Sequence, residues 1–194
     1  MRVLVVDESA ERADTLGAAL RQAGYEVVAS LTSPLALLRT IETLEPEVIV
    51  IDVDSPSRDV LEHLVVVTQH TPRPIVMFAA DGSPAAIREA TRAGVSAYVV
   101  DGLDRKSIKA IVDAAVARFV EFQVLRTRLA EANLKLEERK LVEKAKGLLM
   151  RQRGIDEEAA HATLRKMAMD RSLKLADVAQ RVIDAAELLN SGGA

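Results

Sequence analysis

Acidic side chains recur where short apolar runs end. Asp7 and Glu8 follow residues 3–6, Asp52 and Asp54 follow residues 48–51, and Asp101 follows residues 97–100. Carboxylates brought together by separate strands repel one another unless a cation or a shared proton offsets them, so a magnesium site among these acids is the natural expectation. A second set of residues is basic. In the tract KLVEKAKGLLMRQR, residues 140–153, one helix would place Leu141, Val142, Ala145, Leu148 and Leu149 on an apolar stripe. Lys140, Lys144, Gly147 and Arg151 would share a different side, and Lys146 also lies outside the stripe. A backbone bared by Gly147 among cations suits a polyanion. A solvated face on a packed helix has the same spacing.

Charge and apolar patterning divide the chain into two parts. Residues 1–118 hold 12 Lys and Arg against 17 Asp and Glu, and residues 139–194 hold 11 against 8, so an acidic part precedes a basic one and different partners are expected. In the first part the apolar runs at 3–6, 25–30, 48–51, 75–78 and 97–100 alternate with helix-period stretches opening near Ala10, Ser33, Ser57 and Ser83. Ser83 before Pro84 reads as an N-cap, and Gly24 and Gly94 close helices ahead of the next strand. Continuous apolar strands predict an α/β fold with a parallel, doubly wound five-stranded sheet, whose chemistry gathers at the carboxyl ends of the strands.

From Leu103 to Lys146 there is neither Gly nor Pro, which allows one helix of about 44 residues, roughly 65 Å at 1.5 Å each. Within it Phe122, Leu125, Leu129, Ala132 and Leu136 form a heptad seam, the expected dimerisation face of a 119–138 connector. A helix lying on its own first domain, or a bare linker, would also fit. Beyond Gly154, Asp156 can cap a second helix with Ala160, Leu164, Met167 and Ala168 on one face, and a third carries Leu175, Val178, Ala179, Val182, Ile183, Ala186 and Leu189. Arg165, Lys166, Arg171 and Lys174 surround the second helix and its turn.

With VLVVDE and VIVIDVDSP, residues 1–118 resemble the receiver domain of response regulators. The resemblance implies the flavodoxin-like strand order 2-1-3-4-5, magnesium at the residues matching Asp7 and Glu8, and Asp52 as phosphoacceptor, with Pro56 fitting the same pattern. Two positions depart from it. IVMFAAD puts Ala79 where the family has Ser or Thr, and AYVVDG puts Asp101 where it has Lys. An anion beside a phosphoryl group would cost on the order of several kcal/mol at reduced dielectric, so the phosphoacceptor role of Asp52 is in doubt. Tyr98 matches the family's switch aromatic.

With AKGLLM at 145–150, EEAA at 157–160, Leu164 with Arg165, Leu175, and Val178 with Ala179, residues 139–190 resemble the ANTAR domain, the RNA-binding output module of AmiR/NasR-type antiterminators. The order receiver, connector, three helices is similar to NasT-like regulators of nitrate and nitrite assimilation. That resemblance implies a transcription antitermination regulator that binds leader mRNA hairpins and so acts indirectly on RNA polymerase, under the control of a nitrate- or nitrite-responsive sensor protein. The expected RNA contacts are Lys140, Lys144, Lys146, Gly147, Arg151, Arg165, Lys166, Arg171 and Lys174. Residues 123–194 contain no Phe, Tyr or Trp, so base readout would rest on Arg planes and hydrogen bonds rather than aromatic stacking.

An active homodimer is expected. The alternatives are a phosphorylation-dependent regulator, a DNA-binding transcription factor, or a protein-interaction module. No required cofactor and no enzymatic activity are expected: the three His are scattered, Cys is absent and no Gly-rich phosphate loop occurs. Without an apolar run near 18 residues or a signal-peptide pattern, the expectation is a cytoplasmic protein with no membrane partner.

Overall fold

The computed structural model describes residues 1–33, 36–100 and 107–191, with no side-chain description for 189–191. The chain divides into two compact units, Met1–Gln123 and Val124–Ala194.

The first unit is a five-stranded, wholly parallel sheet: β1 (Arg2–Asp7), β2 (Glu26–Leu31), β3 (Val48–Val53), β4 (Ile75–Ala79) and β5 (Ala97–Val100), in the order β2-β1-β3-β4-β5. Its helices are α1 (Ala10–Gln22), α2 (Leu37–Leu44), α3 (Arg58–His70), α4 (Pro84–Arg92) and the first turns of α5 (Ile108–Arg153). The sheet is covered on both faces, which is why its strands lack polar alternation. Leu4, Ile49, Ile51, Ile75 and Met77 meet Leu37, Ile41 and Leu64 on one side, while Val3, Val5, Val50, Val76 and Phe78 meet Leu16, Leu20, Ile108 and Val112 on the other.

Side-chain caps start α1, α3 and α4. Ser9, Ser57 and Ser83 accept from the amides of Arg12, Val60 and Ala86 at 3.4, 3.3 and 3.2 Å, each satisfying an orphan donor of the first turn. Opening only at Leu37, α2 begins four residues beyond the expected Ser33, and Ala36 brings no side-chain acceptor to its cap. Gly94 closes α4 at φ +98, where a Cβ would collide with Thr68.

The expected 103–146 helix is described from Ile108 and runs on to Arg153 as one 46-residue element, since an isolated Gly147 weakens a helix without ending it. Leu103 and the three residues after it lie outside the described residues. Gly154, at φ +64, follows the last turn.

The second unit packs the end of α5 against α6 (Glu157–Asp170) and α7 (Leu175–Ser191) around Ala145, Leu149, Ala160, Leu164, Ala168, Val178, Ala179 and Ile183. Four of these eight are alanines, so the helices of this small core can approach closely. Asp156 caps α6 as expected, accepting from the Ala159 amide at 2.8 Å. Among the described residues no helix is long and apolar enough to cross a membrane.

Candidate functional site

In the first unit the β1–β3 register pairs Asp7 with Asp52 directly, so two of the expected acids are neighbours at the carboxyl edge of the sheet. Asp7 is fully buried and Asp52 half-buried, while Glu8 is exposed on the following loop. Burial, then the charge of Asp7, pushes the Asp52 carboxyl above the usual carboxylate range, with Arg12 opposing. Asp101 lies outside the described residues.

Arg12 was absent from the expected set. From the first turn of α1 its guanidinium reaches Asp7 Oδ1 at 3.2 Å and Asp54 Oδ1 at 2.7 Å. The signal available in the sequence is a basic residue five positions after the strand-end acid, which a helix starting at Ala10 turns back toward the strand edge. Both Asp7 oxygens therefore accept from protein donors, and among the described residues no three Asp, Glu, His or Cys are placed to hold a metal ion. Asp7, Glu8 and Asp52 do not assemble the expected magnesium site: Glu8 stays outside, and Asp7 is taken by Arg12 and the Ser9 amide. The residues present do not fit the divalent cation that the receiver pattern implies.

At the end of β4, Ala79 is buried and offers no hydroxyl. Protein groups hold the loop beyond it: the amides of Ala80 and Asp81 donate to the Asp54 carbonyl at 3.1 and 3.0 Å, and the Tyr98 hydroxyl donates to the Asp81 carbonyl at 2.6 Å. Tyr98 is thus a half-buried tether of that loop.

The basic residues of the second unit fall into groups that the helical period alone did not separate. Lys140 and Lys144 are exposed, paired with Glu137 at 2.7 Å and Glu187 at 2.9 Å. Exposed pairs of this kind contribute little and exchange readily for another anion. Gly147 is half-exposed with open space where a Cβ would stand, and Arg151 is exposed.

Lys146 requires correction as an RNA contact. It is 6% exposed, and its ammonium lies between Glu143 at 2.8 Å and Glu157 at 2.7 Å, which hold its pKa above the ordinary value. Its position beside the apolar stripe turns it into the packed helix unit, where two carboxylates offset its burial.

Sequence reasoning missed Lys135 and Arg139. With Val142 and Lys146 they recur at i, i+4, i+7 and i+11, one face of α5, and a helical wheel begun at residue 135 instead of 140 would have shown it. This face lines a cleft of about 700 Å³ whose other walls carry His161 and, at the opening of α7, Lys174 and Leu175. Lys135, Arg139 and Lys174 are exposed, as are Arg165, Lys166 and Arg171, and none of the six forms an ion pair among the described residues. Glu138 and Glu143 share the cleft walls.

Comparison with known proteins accounts for both units. Residues 3–113 match the response regulator receiver domain family and residues 130–183 the ANTAR domain family. The chain is 31% identical over 183 residues to the transcriptional regulatory protein PdtaR of Mycobacterium tuberculosis, covering 94% of this chain and 89% of that protein. It is 46% identical over 63 residues to a nitrate regulatory protein of Klebsiella oxytoca, a match covering 32% of this chain and 16% of the relative. Among solved structures, the signal receiver domain of the response regulator NarL from M. tuberculosis superposes with a TM-score of 0.53 at 25% identity, over 59% of this chain and 94% of that one. A pilus assembly-related protein from Burkholderia pseudomallei superposes at 0.56 with 21% identity, over 61% and 90%. A receiver sheet carried through α5 into three ANTAR helices, matched along most of its length by one regulator, makes this chain a member of the ANTAR-domain response regulators.

Proposed function

We propose that the protein is a transcription antiterminator whose ANTAR unit binds hairpins in leader RNA. The observation that carries this reading is the set of unpaired, exposed cations at Lys135, Arg139 and Lys174 around one cleft, within or beside the segment matched by the ANTAR family. Lys and Arg contacts to phosphates supply salt-dependent affinity, and unstacked loop bases supply the specificity that a duplex cannot. Arg151, Arg165, Lys166 and Arg171 extend the cationic surface, with Lys140 and Lys144 recruited by exchange of their carboxylate partners. Hairpin RNA and a DNA duplex compared at one salt concentration test the reading: RNA binds the more tightly if it holds, and duplex preference would turn it into a DNA regulator.

The input is a protein partner rather than phosphoryl transfer. Ala79 removes a donor to the phosphoryl group, and Arg12 takes the lone pairs that a catalytic metal would need. The short match to a nitrate regulatory protein favours a nitrate- or nitrite-responsive sensor. The active species is a dimer through α5. Phe122, Leu125, Leu129 and Leu136 are each more than half exposed and repeat at heptad spacing, an apolar seam that a second copy of the same helix covers. Two hairpins on one transcript are then held together, and the second binds at raised effective concentration.

A further inference from the structure

The carboxyl edge of the receiver sheet holds Asp7 and Asp52 side by side, with Asp54 on the loop after β3. Over them lies one guanidinium. Arg12 Nε donates to Asp7 Oδ1 and Oδ2 at 3.2 and 3.4 Å, Nη2 lies 3.2 Å from Oδ1, and Nη1 donates to Asp54 Oδ1 at 2.7 Å. The Ser9 amide adds a third donor to Asp7 at 2.8 Å. One end of this bridge is fully buried and the other, Asp54, is 84% exposed, so the side chain spans the pocket from floor to rim.

An isolated buried carboxylate is strongly disfavoured, and the pocket needs a cation whether or not a metal is supplied. A hard divalent ion takes carboxylate oxygens at roughly 2.0–2.1 Å with near-octahedral demands, so it must first evict the guanidinium that holds those oxygens. The planar fork of Arg can hold two carboxylates at once, which the single ammonium of Lys does less well.

We propose that Arg12 is the built-in counter-ion of the Asp7–Asp52–Asp54 pocket, compensating its charge in place of a divalent cation and excluding one. The receiver then holds a fixed charge state regardless of magnesium supply.

Titration of the full-length protein with Mn²⁺, followed by calorimetry and by water-proton relaxation, tests it. Arg12→Gln removes the charge and leaves a shorter, neutral polar side chain, and it binds Mn²⁺ at least about tenfold more tightly than the native protein. Adding Asp7→Asn to that variant removes the gain, which places the ion at the pocket. Arg12→Lys, which keeps one charge but loses the fork, falls between native and Gln; it also carries the test if circular dichroism shows that the Gln variant does not fold. Equal Mn²⁺ affinity in the native, Lys and Gln proteins overturns the proposal, and so does a gain that survives Asp7→Asn.

Discussion

The Lys146 ammonium on α5 donates to Glu157 Oε1 at the first residue of α6, 2.7 Å away, and Glu143 holds its other side. A cation expected at the surface is therefore a fastening between two helices of the ANTAR unit. Lys146→Ala leaves two carboxylates facing each other without their cation and should lower the thermal midpoint of this unit clearly, whereas Lys144→Ala, which loses one exposed pair, should stay within about 0.5 kcal/mol of native. The same bond gives a pH signature. Hydrogen bonding to Lys146 holds the Glu157 carboxyl below its ordinary value of 4.5, so its stabilisation is present above 4.5 and is lost as pH falls through the lower folded value. Glu157→Gln should flatten that acid limb of the melting curve, and an unchanged limb would contradict the assignment.

Gly147 separates stability from binding. Nothing lies within 4 Å of a Cβ built there, so Gly147→Ala should stabilise the helix by about 0.5–1 kcal/mol while weakening RNA binding if a phosphate backbone approaches that bare stretch. Tighter or equal binding together with higher stability would remove this face of α5 from the interface.

Replacing both Leu125 and Leu129 with Lys puts two charges into the exposed seam of α5 and should abolish dimerisation without changing the melting of either unit, because both side chains are already more than half exposed. Sedimentation with RNA present reads the result. A dimer of native stability in the double variant would mean that the seam is elsewhere.

Acetyl phosphate, and Asp52→Ala, should both leave RNA affinity unchanged, since Ala79 and the Arg12 bridge leave the phosphoryl group without a hydroxyl donor or a metal. Stoichiometric phosphorylation with a tenfold or larger change in affinity would restore ordinary receiver chemistry.

The fold was legible because its signals were local: β-branched runs punctuated by Gly, Ser and Pro set the strand order by resemblance, and AKGLLM with the apolar spacing of α6 and α7 set the helical unit. The site was less so. Periodicity assigns a residue to a face but not to what faces it, so Lys146 could not be seen to meet Glu157 eleven residues away. Arg12 was passed over for a related reason, since a cation among acids announces a bridge only once β1 and β3 are in register. Lys135 and Arg139 are legible from the helical period alone, because with Val142 and Lys146 they share one face of α5.

Gel-shift titration of a hairpin RNA over several salt concentrations reads RNA binding at the cleft, with native protein beside Lys135→Ala, Arg139→Ala and Lys174→Ala. Each lost phosphate contact should weaken binding and reduce the slope of log affinity against log salt by about 0.7–0.9, with helix content unchanged. Native affinity and native slope in all three variants would contradict the account and return the cleft to a solvated surface.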